Sequence, residues 1–196
     1  VLQELKVTNR LMKQSEITVE CNPDSVRRKE LRMLRKEGVN RLSIGAQSAN
    51  DDILRLIGRR HNWRQVEMAV KRARKAGFRN VSLDLIYGLP SQTREDWADT
   101  LTKALALKPA HISCYGLRLE EGTPMYDEYE GTDILPSDDD QADMYLYAVD
   151  FLSRHGFRQY EISNFARPGY ESRHNLKYWR LDDYIGFGAA AASNIG

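Results

Sequence analysis

Three polar residues stand near the ends of strand-like runs. Glu20 lies in Ile17-Thr18-Val19-Glu20-Cys21-Asn22-Pro23, Gln47 in Arg41-Leu42-Ser43-Ile44-Gly45-Ala46-Gln47-Ser48, and Asp84 in the middle of the apolar run 81–90. That last run is rich in Val, Leu and Ile and is closed by Gly88, Leu89 and Pro90, so it reads as a buried strand. An acid is rarely buried alone, because taking an unpaired charge out of water costs several kcal/mol or more. Asp84 therefore needs a partner. Side chains alternate across a strand, which puts Ile17, Val19, Leu42, Ile44, Ala46, Val81, Leu83 and Leu85 on apolar faces. Thr18, Glu20 and Asn22, then Ser43, Gly45 and Gln47, then Ser82 and Asp84, take the opposite faces. If the strands are parallel neighbours, those faces make one wall, small at its start and hydrogen-bonding at its carboxyl end, which suits a polar ligand. The alternative is a structural role in which helix N-termini or arginines satisfy the acids. Arg59, Arg60 and His61 form a basic corner after Gly58.

The elements that must hold this wall follow a βα rhythm. Strands are expected over 16–22, 41–48, 81–90 and 111–117, alternating with helical patterns at intervals of about 30 residues, the signature of βαβ units and a parallel sheet. Residues 1–13 have the pattern of the end of an amphipathic helix. Asn22-Pro23-Asp24-Ser25 opens a helix that carries Val26, Leu31 and Leu34 and stops at Gly38. Asn50 or Asp51 caps the next, Asn62 the one after, with Gly77 beyond its end, and Thr93 with Asp96 starts a fourth. Both parallel architectures, an open doubly wound sheet and a curved barrel, place ligands at the carboxyl ends of their strands. The small, polar second face favours the curved sheet, with helices outside and an accessible interior, because doubly wound sheets have strands apolar on both sides.

Beyond Leu119 the pattern changes. Residues 120–124 read as a turn and 125–136 as an acidic loop. Ser137 and the acids after it cap a long helix expected to bury Met144, Tyr147, Ala148, Phe151 and Leu152. Residues 160–165 alternate like a strand, and 173–179 read as a short helical turn. Two regions follow, 1–119 and 120–196.

Bulk properties narrow the function classes. With 196 residues and 41% hydrophobic content the chain can bury a real core. Its 29 basic and 28 acidic residues nearly cancel, which gives no support for nucleic-acid binding. No apolar run approaches a membrane span of about 20 residues, and no signal-peptide pattern opens the sequence, so a reducing cytoplasm is the expectation. Cys21 and Cys114 sit in strand-like runs and read as buried thiols without chemistry. The chain starts at Val1 and ends in a Gly/Ala-rich stretch, and it reads as an internal piece of a longer protein.

Seven motifs in order, "VECNPDS", "RLSIGAQS", "SLDLIYGLPSQT", "ISCYGLRLEEGTP", "YEISNFARPG", "RHNLKYW" and "GFG", resemble the radical S-adenosylmethionine proteins related to oxygen-independent coproporphyrinogen III oxidase. Within them the sequence is most similar to the haem-chaperone branch. The resemblance implies an α/β fold, a partial (β/α) barrel with parallel strands, of whose six strands this chain would hold the last four, followed by an α/β appendage. It implies that Glu20 and Gln47 contact the ribose and nearby polar atoms of S-adenosylmethionine, that Asp84 joins them, and that Arg59 pairs with the methionyl carboxylate. The chemistry suits those roles: carboxylates and amides complement hydroxyls, and a guanidinium fork complements a carboxylate. The family also holds a [4Fe–4S] cluster through a Cys-x3-Cys-x2-Cys motif, which is not in this sequence. Cys21 and Cys114 are too far apart to replace it, so its ligands are expected upstream and this piece alone should generate no radical. His174 in the His-Asn-x-x-Tyr-Trp segment is placed near haem by the resemblance, imidazole being a common axial ligand, although a lone histidine is more often a structural hydrogen-bonding group. Tyr178 and Trp179 read as packing partners.

Three functions follow as expectations. The first is a haem-handling protein that binds haem and passes it to an acceptor protein. The second is oxidative decarboxylation of coproporphyrinogen III to protoporphyrinogen IX. The third is a nucleotide- or sugar-phosphate-binding barrel with no redox chemistry.

Overall fold

The computed structural model describes residue 4 and residues 14–196, so the expected helix over 1–13 lies outside the described residues apart from residue 4. In chain order the elements are β1 (Thr18–Cys21), a 3-10 turn (Pro23–Ser25), α1 (Arg28–Lys36), β2 (Arg41–Gln47), α2 (Asp51–Leu56), α3 (Trp63–Lys75) and β3 (Asn80–Tyr87). Then come α4 (Arg94–Ala106), β4 (His111–Gly116), α5 (Pro124–Tyr129), α6 (Asp138–Arg154), β5 (Arg158–Gln159), β6 (Asn164–Ala166) and α7 (Arg173–Arg180).

The strands form a six-stranded sheet in the order β1-β2-β3-β4-β6-β5. β1 to β4 run parallel, as the βα rhythm requires; β6 joins antiparallel to β4, and β5 pairs antiparallel with β6 at the sheet edge. Leu42, Ile44, Val81, Leu83, Leu85 and Ile112 are fully buried on one face, against Val66 and Ala69 of α3, Trp97 and Leu101 of α4, and Met144, Ala148 and Leu152 of α6. The core is continuous from β1 to β6, since Phe157 and Phe165 belong to the same buried cluster. Trp97 donates its indole N–H to the Met144 carbonyl at 2.8 Å, which ties α4 to α6.

Local chemistry fixes the helix starts. Asn62 with Gln65, and Thr93 with Asp96, form reciprocal capping boxes. Asn50, rather than Asp51, caps α2, accepting from the N–H groups of Asp52 and Ile53. Ser137 caps α6.

The sequence expectations need correction in four places. The helix opened by Asn22 is instead a single 3-10 turn; Val26 is then extended and buried, and α1 begins at Arg28 behind Arg27, which makes no side-chain cap. The acidic loop 125–136 contains α5, nucleated by Pro124 in its first turn and by Thr123 accepting from Tyr126 N–H. On α6, Tyr147 is 41% exposed and Phe151 half-buried, because the buried stripe of Met144, Ala148 and Leu152 is narrower than the apolar one. The strand expected over 160–165 is a hairpin. Tyr160 N–H meets Asn164 O at 3.1 Å, the Gln159 side chain holds Ile162 O at 2.9 Å, and the alternation in sequence runs straight through the bend.

Candidate functional site

The second face of the sheet is the polar wall. Ser43 pairs with Glu20 and Ser82, Gly45 with Asp84, and Asp84 with Ser113, so these residues sit side by side across four strands. Glu20, Gln47, Asp84 and Arg59 line one cavity of about 290 Å3, together with Cys21, Asn22, Ser43 and Gly45. An adjoining cavity of about 180 Å3 shares Glu20, Ser43, Gln47 and Asp84 and adds Arg41, Ile86, Ser113, Tyr115 and Asn175. The four residues singled out from the sequence therefore converge on one space.

Asp84 is not neutralised by an arginine in contact. Its carboxylate accepts from Ser43 Oγ at 2.9 and 2.8 Å, from Ser113 Oγ at 2.9 Å and from Ser82 Oγ at 3.3 Å. Burial pushes its pKa up, tempered by the Ser43 and Ser113 hydrogen bonds and the charge of Arg41, and Glu20 pushes it up further.

Gln47 owes its position to an irregularity. The pairing of β2 with β3 slips between Gly45 and Gln47, and Gln47 takes φ 57° while Ser48 N–H returns to Ala46 O at 2.8 Å. This is a tight turn in the left-handed region, costly for a side chain with a Cβ, and it re-aims Gln47 into the cavity. Gly45 makes room for it: a Cβ there would come within 2.7 Å of Gln47 Nε2. Gln47 Oε1 is buried and accepts no hydrogen bond within the described chain.

Arg59 follows a Schellman close of α2. Gly58 at φ 69° donates to Arg55 O and Arg59 N–H to Leu54 O, which turns the chain back toward the cavity. His61 is buried and donates from Nε2 to Ala46 O at 3.3 Å, pinning the same corner, and burial lowers its pKa.

The thiols lack the character of nucleophiles or ligands. Burial, then Asp84 and Glu20, push Cys21 up to about 12, and burial drives Cys114 up as well. Among the described residues no group of three or more His, Cys, Asp or Glu is placed to hold a metal ion.

His174 does not line either cavity. It is exposed on α7, its ring edge-on to Tyr178 at 4.8 Å and 6.4 Å from Tyr184. Tyr178 and Trp179 are not packed into a core: they are 45% and 55% exposed, beside exposed Leu181, Ile185 and Phe187.

Five residues at the wall lay outside the sequence reading. Arg41, Ser113 and His111 could have been found by parity, since 41, 43 and 45 share a face and His111 and Ser113 pair with Ser82 and Asp84. Tyr115 continues that face into the second cavity, whereas Asn175 arrives from the far end of the chain and carried no local signal.

The Radical SAM superfamily model matches residues 2–104. Heme chaperone HemW of Bacillus subtilis is 43% identical over 197 residues, covering 98% of this chain and 52% of that protein. Heme chaperone HemW of Lactococcus lactis is 44% identical over 181 residues, covering 92% of this chain and 48% of that protein. The solved structure of coproporphyrinogen III oxidase (HemN) from Escherichia coli, a radical SAM enzyme, superposes with a TM-score of 0.81 at 27% identity, covering 99% of this chain and 48% of that one. The chain spans about half the length of the curated relatives it matches.

Proposed function

Because this chain belongs to the radical SAM superfamily, we propose that its polar wall is the S-adenosylmethionine site of a cytoplasmic haem-binding chaperone that hands haem to an acceptor protein. The observation that carries the cofactor reading is the convergence of Glu20, Gln47, Asp84 and Arg59 on one cavity, with Gln47 Oε1 buried and unpartnered there. A buried acceptor left unpaired costs about 1–3 kcal/mol, so the site fits a guest that donates a hydrogen bond to it. S-adenosylmethionine bound together with a [4Fe–4S] cluster supplies radical chemistry, with the cluster ligands lying outside this chain. Glu20 and Gln47 take ribose and neighbouring polar atoms, Asp84 joins them, and Arg59 takes the carboxylate. In this reading residues 1–119 hold the cofactor-facing strands and 120–196 the family-specific region.

The haem reading is supported by the relatives named heme chaperone and by α7, where His174 stands exposed among Tyr178, Trp179 and Tyr184 with Leu181 and Phe187 beyond. An exposed imidazole beside apolar surface suits a flat apolar macrocycle with an iron centre. The likeness to coproporphyrinogen III oxidase favours a second reading, decarboxylation of the porphyrinogen. Titration of the full-length protein with haem, followed at the Soret band, separates the two. Tight haem retention lost in His174→Ala is the expected result; robust turnover of coproporphyrinogen without haem retention rejects the chaperone. Arg59→Ala should weaken S-adenosylmethionine binding about tenfold or more by calorimetry.

A further inference from the structure

Behind Asp84 the hydrogen bonds continue into the protein. Ser82 Oγ lies 3.3 Å from Asp84 Oδ1 and 2.7 Å from His111 Nδ1. His111 Nε2 lies 2.8 Å from Tyr160 Oη, and Tyr160 Oη accepts the backbone N–H of Ser172 at 3.2 Å. Ser172 is the N-cap of α7, its hydroxyl accepting Asn175 N–H at 3.4 Å. The directions are mutually consistent. Because Ser82 Oγ donates to the Asp84 carboxylate, it accepts from Nδ1–H of the neutral His111 ring, and Nε2 in turn accepts from the Tyr160 hydroxyl, whose oxygen also accepts from Ser172 N–H. Ser82 and His111 are fully buried and Ser172 is 1% exposed.

α7 has little else to hold it. None of its eight residues is buried; its start is tied to Tyr160, which the Asn175 side chain also meets, and by Arg173, which bonds Glu16 and the Gln14 carbonyl. A buried polar network that is broken leaves groups without partners, so the seated helix is a discrete state and not one of a continuum. In this seated position α7 brings Asn175 to the cavity that Asp84, Gln47 and Arg41 share. A molecule touching Asn175 there binds the seated state more tightly, and by linkage it must favour that state.

We propose that occupancy of the Asp84 cavity by S-adenosylmethionine seats α7 through Asn175 and the Ser82–His111–Tyr160–Ser172 chain, and thereby fixes the neighbouring His174 for haem. Asn175 is the residue that touches the bound molecule; His111 and Tyr160 are positioning residues. The haem half of this statement rests on the function proposed above, whereas the seating of α7 does not.

Hydrogen exchange of the amides of residues 172–180 in the full-length protein, with and without S-adenosylmethionine, tests the seating. Protection should rise at least fivefold on adding it, the lower end of ordinary coupling between sites. Asn175→Ala, on a half-buried position, and Tyr160→Phe, which keeps the ring, should each abolish the rise while wild-type protection elsewhere in the sheet persists. In parallel, the haem dissociation constant should fall at least fivefold with S-adenosylmethionine in the wild type, and by the same treatment not at all in Asn175→Ala. Equal protection of α7 with and without S-adenosylmethionine overturns the proposal, as does an undiminished rise in both variants. A rise in protection in a protein that binds no haem leaves the coupling standing and refutes the haem assignment alone.

Discussion

At the scale of single residues, Asp84 shows a carboxyl group placed where burial works against its charged form. Three serine hydroxyls hold it, yet burial keeps its pKa above the ordinary carboxylate value. The folded chain therefore binds this proton more tightly than the unfolded chain does. From the ordinary value near 4 up to the raised one, stability falls as pH rises. Asp84→Asn is expected to raise the neutral-pH melting temperature and to flatten that part of the pH–stability curve, as thermal melts across a pH series would show. The same substitution should weaken S-adenosylmethionine about tenfold or more by calorimetry; unchanged affinity would remove Asp84 from the site. Much at this scale was legible: an acid amid a strand of Val, Leu and Ile announces an unmet requirement. What supplies it was not legible, because Ser43 and Ser113 reach Asp84 only once the register of three strands is set.

Among the elements, helices with short-range signals were readable and those set by distant contacts were not. The Asn62–Gln65 and Thr93–Asp96 boxes are written within four residues, and α3 and α4 begin where those signals stand. α5 was obscured by its acidic composition, although Thr123 and Pro124 carried the start signal. The hairpin of β5 and β6 depends on the edge of β4, where Cys114 N–H bonds Ser163 O at 2.8 Å, a contact no local pattern contains. The α4–α6 seam likewise depends on one long-range bond. Trp97→Phe removes the indole N–H that reaches Met144 O and leaves a void where the larger ring was fully buried. A loss of about 1–3 kcal/mol in urea unfolding is expected, with an unchanged slope.

For the whole molecule, the fold class followed from the βα rhythm, since four parallel strands separated by helices permit few arrangements. The rhythm did not reveal that the last strands would join the same sheet, which makes one core of the two regions read from sequence. Global stability should carry the mark of the buried imidazoles. Burial, aided by Arg41, holds His111 down to about 3, and burial lowers His61. Unfolding lets both take up protons near their ordinary value of about 6.5, so their contribution is intact above that pH and is lost progressively as pH falls toward about 3. Asp84 acts in the opposite sense over the lower part of that range. Denaturation followed by circular dichroism should show His111→Gln less sensitive to acid between about 6.5 and 3 than the wild type.

The left-handed turn at Gln47 places thermostability and ligand capture in opposition within one residue. A side chain held at positive φ, with a buried oxygen that no neighbour satisfies, costs about 1 kcal/mol or more on each count. Gln47→Gly should relieve both, partly offset by the extra freedom glycine gives the unfolded chain, and raise the melting temperature by about 2–4 °C, while affinity for S-adenosylmethionine drops. Selection for heat resistance alone would thus discard this glutamine first, and a lineage that keeps it reveals what its cavity is for.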